Sequence, residues 1–335
     1  MDIALVVPSY ATFTGNAASA RRILTGLVRE GHEGRIVDYE TFGPYVPAIL
    51  SAWEPAIVHA FHARRGAWPI RQHQPLVVSL TGTDTADDLA RPDTRGEILE
   101  ACRAARALVV HAAGAAAPVL ALDPSLAPRV RVVPKGVDLP AGPAWSLRKT
   151  LSIPDGRTVF LLPAGLREVK GQIDAIEALD GLDVDLVLAG PELDPEYAAR
   201  VRAAAAGRPW VRFIDIRPLS RMRGAYADAD VVLNTSRHEG LSNAILEAML
   251  SAKPVLASDI PANRAVVRPG STGLLYTGHE GLRAAALRLR DDPGARALMG
   301  AAGAIRARAE HDPAAEIRAL LEVYREAIES RPGSA

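Results

Sequence analysis

Cysteine is nearly absent from this chain: Cys102 is the only one among 335 residues, so no internal disulfide framework is available and a cysteine-rich metal site has no ligands. A net charge is missing as well. Lysine plus arginine and aspartate plus glutamate both number 39, which removes the electrostatic footprint of a nucleic-acid binder. The first 150 residues are nearly balanced too, giving no strong membrane signal. No apolar run approaches the ~20 residues needed to cross a bilayer. The opening MDIALVVPSY is apolar for only about five residues and lacks a basic leader, so it reads as a buried first strand rather than a signal peptide. A reducing, cytoplasmic setting is the expectation. The chain has no early G-x-G-x-x-G, which weakens a dinucleotide dehydrogenase, and no G-x-S-x-G elbow for a nucleophilic serine. Its eight histidines show no paired ligand spacing.

What is present is the alternation of a soluble α/β protein. The length favours two domains over one core. Short apolar runs at 3–7, 56–61, 76–80, 107–111 and 130–134 read as strands separated by helical patterns. The proline- and glycine-bearing stretch 141–157 interrupts them and serves as a linker. The alternation then restarts with runs at 159–165, 185–190, 210–215, 230–236 and 254–259. Two doubly wound domains are therefore expected, residues 1–143 and 152–313, with a terminal helix at 314–331 packing back on the first. Sheets of this kind bind ligands beyond the carboxyl ends of their strands.

The most informative stretch is HEGLSNAILEAMLSAKPVLASD, 238–259. A strand ends, a short loop RHEGL follows, and Ser242 or Asn243 can cap the next helix. The first amides of that helix lack intrahelical partners and carry the positive end of its dipole, which suits phosphate oxygens. Gly240 permits close approach to the backbone. Glu239 stands beside this anion site, and Glu247 lies roughly 7 Å further along the axis. Carboxylates accept from paired hydroxyls better than they bind phosphate. A nucleoside diphosphate sugar, with hydroxyls on both sides of its diphosphate, matches that arrangement. Ordinary surface glutamates near a helix start are the competing reading.

The residues EGLSNAILEAM, PVLASDIPANRAVV and TGLLY together resemble the nucleotide-sugar site of glycosyltransferase family four, whose members share the GT-B fold: two Rossmann-like domains facing each other across a cleft. The resemblance implies that Glu239 contacts the donor sugar and Glu247 holds the ribose. Gly240, Leu241, Ser242 and Asn243 would supply backbone amides to the sugar and diphosphate. A second match, AGLREVKGQIDAIEAL at 164–179, places Arg167 and Lys170 between a strand and a helix, where two cations can neutralise a diphosphate leaving group. Many family members carry the arginine five residues before the lysine; here it stands three before, so Lys170 transfers more securely. Family likeness further implies retention of configuration, no cofactor beyond the nucleotide-sugar co-substrate and no metal.

In the first domain, Thr14, Gly15 and Asn16 sit where the family keeps a glycine-rich loop under the donor phosphates. SLTGTD, 79–84, brings Thr81 and Asp84 to a strand end on the acceptor side; relatives often have a histidine near this point. Within the family, TGNAASARR, LTGTD, GLREVK and SNAILEAM look most like the glycosyltransferase 1 domain-containing protein subgroup. FHARRG, 61–66, resembles bacterial selenosugar synthases, and there His62, Arg64 and Arg65 either meet an anionic acceptor or cap a strand end. The expected activity is transfer of a sugar, most commonly from a uridine donor, to a small-molecule acceptor. Alternatives are a selenosugar or thiosugar synthase, a nucleotide-sugar isomerase and a non-catalytic nucleotide-sugar binder. The acidic clusters DAD, 228–230, and DTADD, 84–88, read as a helix-to-strand junction and a helix start rather than metal sites.

Overall fold

A computed structural model describes residues 1–10, 14–139, 141–142, 144–215 and 219–330. Pro143, inside the expected linker, and Arg331, at the end of the terminal helical pattern, lie outside the described residues. The chain divides into two compact units: residues 1–136 with 239–241 and 312–335, and residues 137–238 with 242–311. Each is built on a six-stranded parallel sheet covered by helices.

The first sheet contains β1 Asp2–Val7, β2 Glu33–Asp38, β3 Ile57–Phe61, β4 Leu76–Ser79, β5 Ala107–Val110 and β6 Val130–Val132, in the order β2-β1-β3-β4-β5-β6. Parallel strands covered on both faces read as continuous apolar runs, and β1 obeys this: Ile3 to Val7 are all fully buried. Alternate side chains serve opposite cores. Ile3, Leu5 and Val7 pack with Ile23 and Leu27 of the helix Gly15–Arg29 and with Ile317, Leu320 and Tyr324 of the terminal helix Pro313–Glu329. Ala4 and Val6 face Val58, Val78 and Leu108 in the other.

The terminal helix is fastened to this unit by polar contacts as well. Arg22 donates through two nitrogens to Glu316, at 2.8 and 3.0 Å, with both side chains buried. His59, on β3, lies within hydrogen-bond distance of the Tyr324 hydroxyl at 2.6 Å and of Ser79 Oγ at 2.8 Å. Its ring stacks on Phe61 with centroids 4.7 Å apart. Burial pushes its pKa down to about 3, so the ring is neutral and works as a donor–acceptor bridge.

The second sheet comprises β7 Thr158–Leu162, β8 Val184–Ala189, β9 Val211–Ile214, β10 Val231–Asn234, β11 Val255–Ser258 and β12 Gly273–Tyr276, ordered β12-β11-β10-β7-β8-β9. The ten expected strands are all present, with ends shifted by one to three residues. Two others went unread, and both are edge strands. Strand β2 alternates exposed and half-buried over its first four positions and carries Glu33 and Arg35, so it lacks an apolar run. Strand β12, GLLY, opens on a glycine, a residue depleted in strands. No helix among the described residues is long and apolar enough to cross a membrane.

Candidate active site

Both strand orders reverse direction once, and that reversal fixes where a ligand pocket forms. In the second unit the chain leaves β7 toward β8 and leaves β10 toward β11, on opposite sides, although β7 and β10 are hydrogen-bonded neighbours with Val231 opposite Phe160. The loops leaving their carboxyl ends diverge and open a crevice. Arg167, Lys170, Ser242, Asn243 and Glu247 all lie on the segments that follow these two strands.

After β7 the chain enters a tight helical turn, Glu168–Lys170, and then Gly171 in a left-handed conformation with φ of 61°. A Cβ there would stand 2.5 Å from the carbonyl oxygen of Thr235, so glycine is required on both counts. The contact is reinforced: Thr235 Oγ1 donates to the Lys170 carbonyl at 2.6 Å, and the Arg237 amide donates to the Val169 carbonyl at 2.9 Å. The turn that carries Lys170 is thereby fixed to the loop leaving β10. The helix Gln172–Leu179 follows at once.

That second loop is set by a buried amide. Asn234, the last residue of β10, donates through Nδ2 to Ser242 Oγ at 3.1 Å, while its Oδ1 accepts from the Ser236 amide at 3.3 Å and from Asn263 Nδ2 at 3.2 Å. Ser242 does occupy the N-cap position of the helix Asn243–Leu250, but its hydroxyl turns to Asn234 and makes no capping bond to that helix. The expected cap is thus present in position and absent in chemistry. Glu247 is half-buried in the second turn, and its Oε2 accepts from the hydroxyl of Tyr226 at 2.8 Å. Burial and the Glu247 carboxylate push the Tyr226 pKa well above its usual value, so the phenol remains a donor.

Glu239, Gly240 and Leu241 cluster with the first unit. The buried Lys135 donates to the Leu241 carbonyl at 2.6 Å. A Cβ on Gly82 would lie 2.4 Å from the Gly240 amide nitrogen, so the bare backbones of the two glycines meet there.

The first unit has its own switch point, between β1 and β3. Thr14 caps the helix Gly15–Arg29 by accepting from the Ala17 amide at 3.3 Å, which leaves Gly15 exposed and Asn16 half-buried at the helix mouth. His62 follows β3 with φ of 76°, a left-handed value uncommon for a residue with a side chain. Its Nδ1 accepts from the Arg65 amide at 3.2 Å, and its Nε2 faces Thr83 Oγ1 at 3.2 Å and Asp88 Oδ2 at 3.4 Å. Burial, assisted by Arg65 and Arg64, pushes its pKa down to about 3, so the ring is neutral and its approaches to Asp84 and Asp88 are not ion pairs.

Asp84 is fully buried. It accepts from the Thr81 amide at 2.7 Å, the Thr81 hydroxyl at 3.1 Å and the Ala63 amide at 2.8 Å. Burial nevertheless raises its pKa to about 7. Instead of standing open in a polar loop, it ties the end of β4 to the turn after β3. Arg64 donates to Glu97 at 2.7 Å, and Arg65 is 55% exposed with Asp88 at 3.9 Å. His62 caps the short helical turn Ala63–Ala67 from inside the protein, not on the surface.

Sequence reasoning missed Tyr226, Asn234, Asn263 and Lys135, because each reads as an ordinary member of a strand, helix or linker. The acids of DAD are structural: Asp228 accepts from Ser146 Oγ and the Arg148 amide, and Asp230 accepts from Arg148 and the Val159 amide. Among the described residues no group of three or more His, Cys, Asp or Glu is placed to hold a metal ion.

Comparison with known proteins defines the class. Residues 157–292 match the family model "Glycosyl transferases group 1". The chain is 26% identical to glycosyltransferase 1 domain-containing protein 1 of Xenopus tropicalis, over 84% of this chain and 85% of that one. It is 28% identical to D-inositol 3-phosphate glycosyltransferase 1 of Catenulispora acidiphila, over 93% and 82%. The crystal structure of HepE from Anabaena in complex with UDP-glucose superposes with a TM-score of 0.77 at 18% identity, covering 96% and 99%. The fold is GT-B, and the protein is a glycosyltransferase with a nucleotide-sugar donor. Over residues 157–292 the chain resembles the group 1 glycosyl transferases, in keeping with its likeness to family four.

Proposed function

We propose that the protein moves a hexosyl group from a uridine diphosphate sugar to a small hydroxyl-bearing acceptor, with retention of configuration and without a bound metal. One observation carries this reading: the turn bearing Lys170 is pinned to the loop after β10 by the Thr235–Lys170 bond of 2.6 Å, next to the helix that presents its N-terminus at Asn243 and its carboxylate at Glu247. A cation, helix amides and a hydroxyl acceptor thus share one switch point. HepE, which has the same fold, was solved with UDP-glucose, which supports a uridine donor.

In this mechanism the diphosphate departs against Lys170, Arg167 and the first amides of the helix Asn243–Leu250. Fixed charges of this kind stabilise the transition state more than the ground state, because the negative charge grows as the glycosidic bond breaks. Glu247 accepts from the ribose hydroxyls. The acceptor attacks from the face the diphosphate leaves, and a departing phosphate oxygen takes its proton, so no side-chain base is needed. Thr81, His62, Arg64 and Arg65 shape the acceptor side, with Asp84 holding two of its loops together.

A second reading takes an anion such as selenophosphate or thiophosphate as acceptor. The exposure of Arg65 favours it, and the engagement of Arg64 by Glu97 does not. The test is a thermal-shift screen of nucleotide sugars followed by mass spectrometry and NMR of products formed with polyols, sugar phosphates and selenophosphate. A UDP-sugar should raise the melting temperature and give an acceptor-dependent product of unchanged anomeric configuration. Donor conversion without acceptor would indicate an isomerase instead, and binding with no product from any pool a non-catalytic binder.

A further inference from the structure

Ser242 has the residue type and the backbone of a helix cap, with φ of −71° and ψ of 119°, yet its hydroxyl makes no capping bond to the helix Asn243–Leu250. Elsewhere in the same unit Ser146 does cap: its Oγ accepts from the Lys149 amide at 3.2 Å. The difference lies in Asn234, whose Nδ2 donates to Ser242 Oγ at 3.1 Å. We propose that Asn234 is a positioning residue that withholds the Ser242 hydroxyl from its helix, so that a phosphate oxygen of the donor, and not a side chain, completes the cap. The proposal rests on the reading of this helix as part of the diphosphate site.

The orientation of the Asn234 amide is fixed by its other end. Its Oδ1 accepts from the Ser236 amide at 3.3 Å and from Asn263 Nδ2 at 3.2 Å, so Nδ2 is the atom turned to Ser242. Asn263, fully buried on the helix Pro261–Val266, is held in turn. Its Nδ2 also donates to the Ser258 carbonyl at 2.9 Å and to Ser258 Oγ at 3.2 Å, and that hydroxyl donates onward to the Ser236 carbonyl. Turning the Asn263 amide over would set its oxygen against the Asn234 and Ser258 carbonyls. As it stands, Asn263 Oδ1 is buried without a hydrogen-bond partner. The arrangement is destabilising at that atom, and what it secures is a fixed Asn234 amide.

A capping side chain ordinarily accepts from the second or third amide of its helix, here Ala244 or Ile245. Were the Ser242 hydroxyl seated there, a phosphate would first have to displace it. A phosphate oxygen is the stronger partner, because its bond to an amide is charge-assisted and it meets the positive end of the helix dipole. Holding the serine aside therefore keeps that acceptor position for the ligand before it arrives.

The experiment is titration calorimetry of the full chain with UDP, and with uridine by competition, for the wild type, Asn234→Ala, Ser242→Ala and the double variant. With the Asn234 amide removed, the Ser242 hydroxyl can turn to its helix. UDP binding should then weaken by roughly three- to tenfold, the worth of an N-cap side chain, while uridine binding changes little. In the Ser242→Ala background the same Asn234→Ala substitution should change UDP binding by less than about twofold, because no hydroxyl remains to compete. Equal losses in both backgrounds, or no loss in either, would give Asn234 a purely structural part and overturn the proposal. Should Asn234→Ala fail to fold, Asn263→Ala loosens the same amide from its other end. A loss of UDP affinity there that disappears with Ser242→Ala supports the proposal, and one that is absent or persists overturns it. A wild type that binds uridine as tightly as UDP refutes the diphosphate reading itself, separately from the part given to Asn234.

Discussion

Acidification should loosen the first unit through His59, by an amount that follows from its burial. The ring is fully buried between Ser79 and Tyr324, and its pKa falls to about 3 from an ordinary 6.5. A histidine whose folded pKa is depressed binds its proton in the unfolded chain first. Its contribution is therefore complete above pH 6.5 and is lost as the pH falls from there toward 3. At pH 5 the loss is about 2 kcal/mol, and any folded value below about 4 leaves that figure unchanged. The measurement compares wild type with His59→Gln in urea unfolding at pH 7 and pH 5. Trp145 and Trp210 are replaced by phenylalanine so that Trp53 and Trp68 report on the first unit. The substitution has its own cost at both pH values, which cancels in the difference. So do the parallel effect of the depressed His62 and the opposite effect of Asp84, whose raised pKa favours the folded state on acidification. Wild type should lose about 2 kcal/mol more than the variant between the two pH values. An equal loss in both proteins would show that the folded state accepts the proton at His59, and the reasoning would be wrong.

The other expectations concern the donor site and the terminal helix. Glu247→Ala should weaken binding of UDP by roughly ten- to a hundredfold in calorimetry, whereas Glu239→Ala should lower kcat more than affinity; the reverse order refutes the assigned roles. Lys170→Ala should cut kcat by about a hundred- to a thousandfold in steady-state kinetics, and an effect confined to KM would deny it a part in stabilising the leaving group. Glu316→Ala removes the buried carboxylate from Arg22 and should destabilise the chain by about 3–5 kcal/mol in thermal or urea melting. The paired replacement Arg22→Met with Glu316→Leu should recover much of that loss, and a single-mutant cost near zero would mean the ion pair does not fasten the helix.

The interior strands were legible because parallel sheets bury both faces, so IALVV, LVVSL and ALVV declare themselves as apolar runs. Edge strand β2, with Glu33 and Arg35, carried no such signal, and β12 opens on a glycine. In the site, the glutamates and Lys170 stood out because a carboxylate in a loop, another in the next helix and a cation after a strand are chemically pointed. Tyr226 did not, since a tyrosine at helical spacing in MRGAYAD reads as core, and only its 2.8 Å bond to Glu247 gives the hydroxyl a task. Asp84 misled in the other direction. Its place at a strand end suggested a group on the acceptor side, yet three donors hold it inside.

Local sequence by itself determined ten of the strands, and the fixed rise of a helix placed Glu247 relative to the start of its own helix. Which strands became neighbours was decided by the tertiary structure alone. Strands β7 and β10 are separated in the chain by β8, β9 and their helices, yet they pair in the sheet, and the left-handed Gly171 then rests against Thr235. The physical reason is that the hydrogen bonds of a parallel sheet join distant segments, and the close contacts at their carboxyl ends have no counterpart in local spacing.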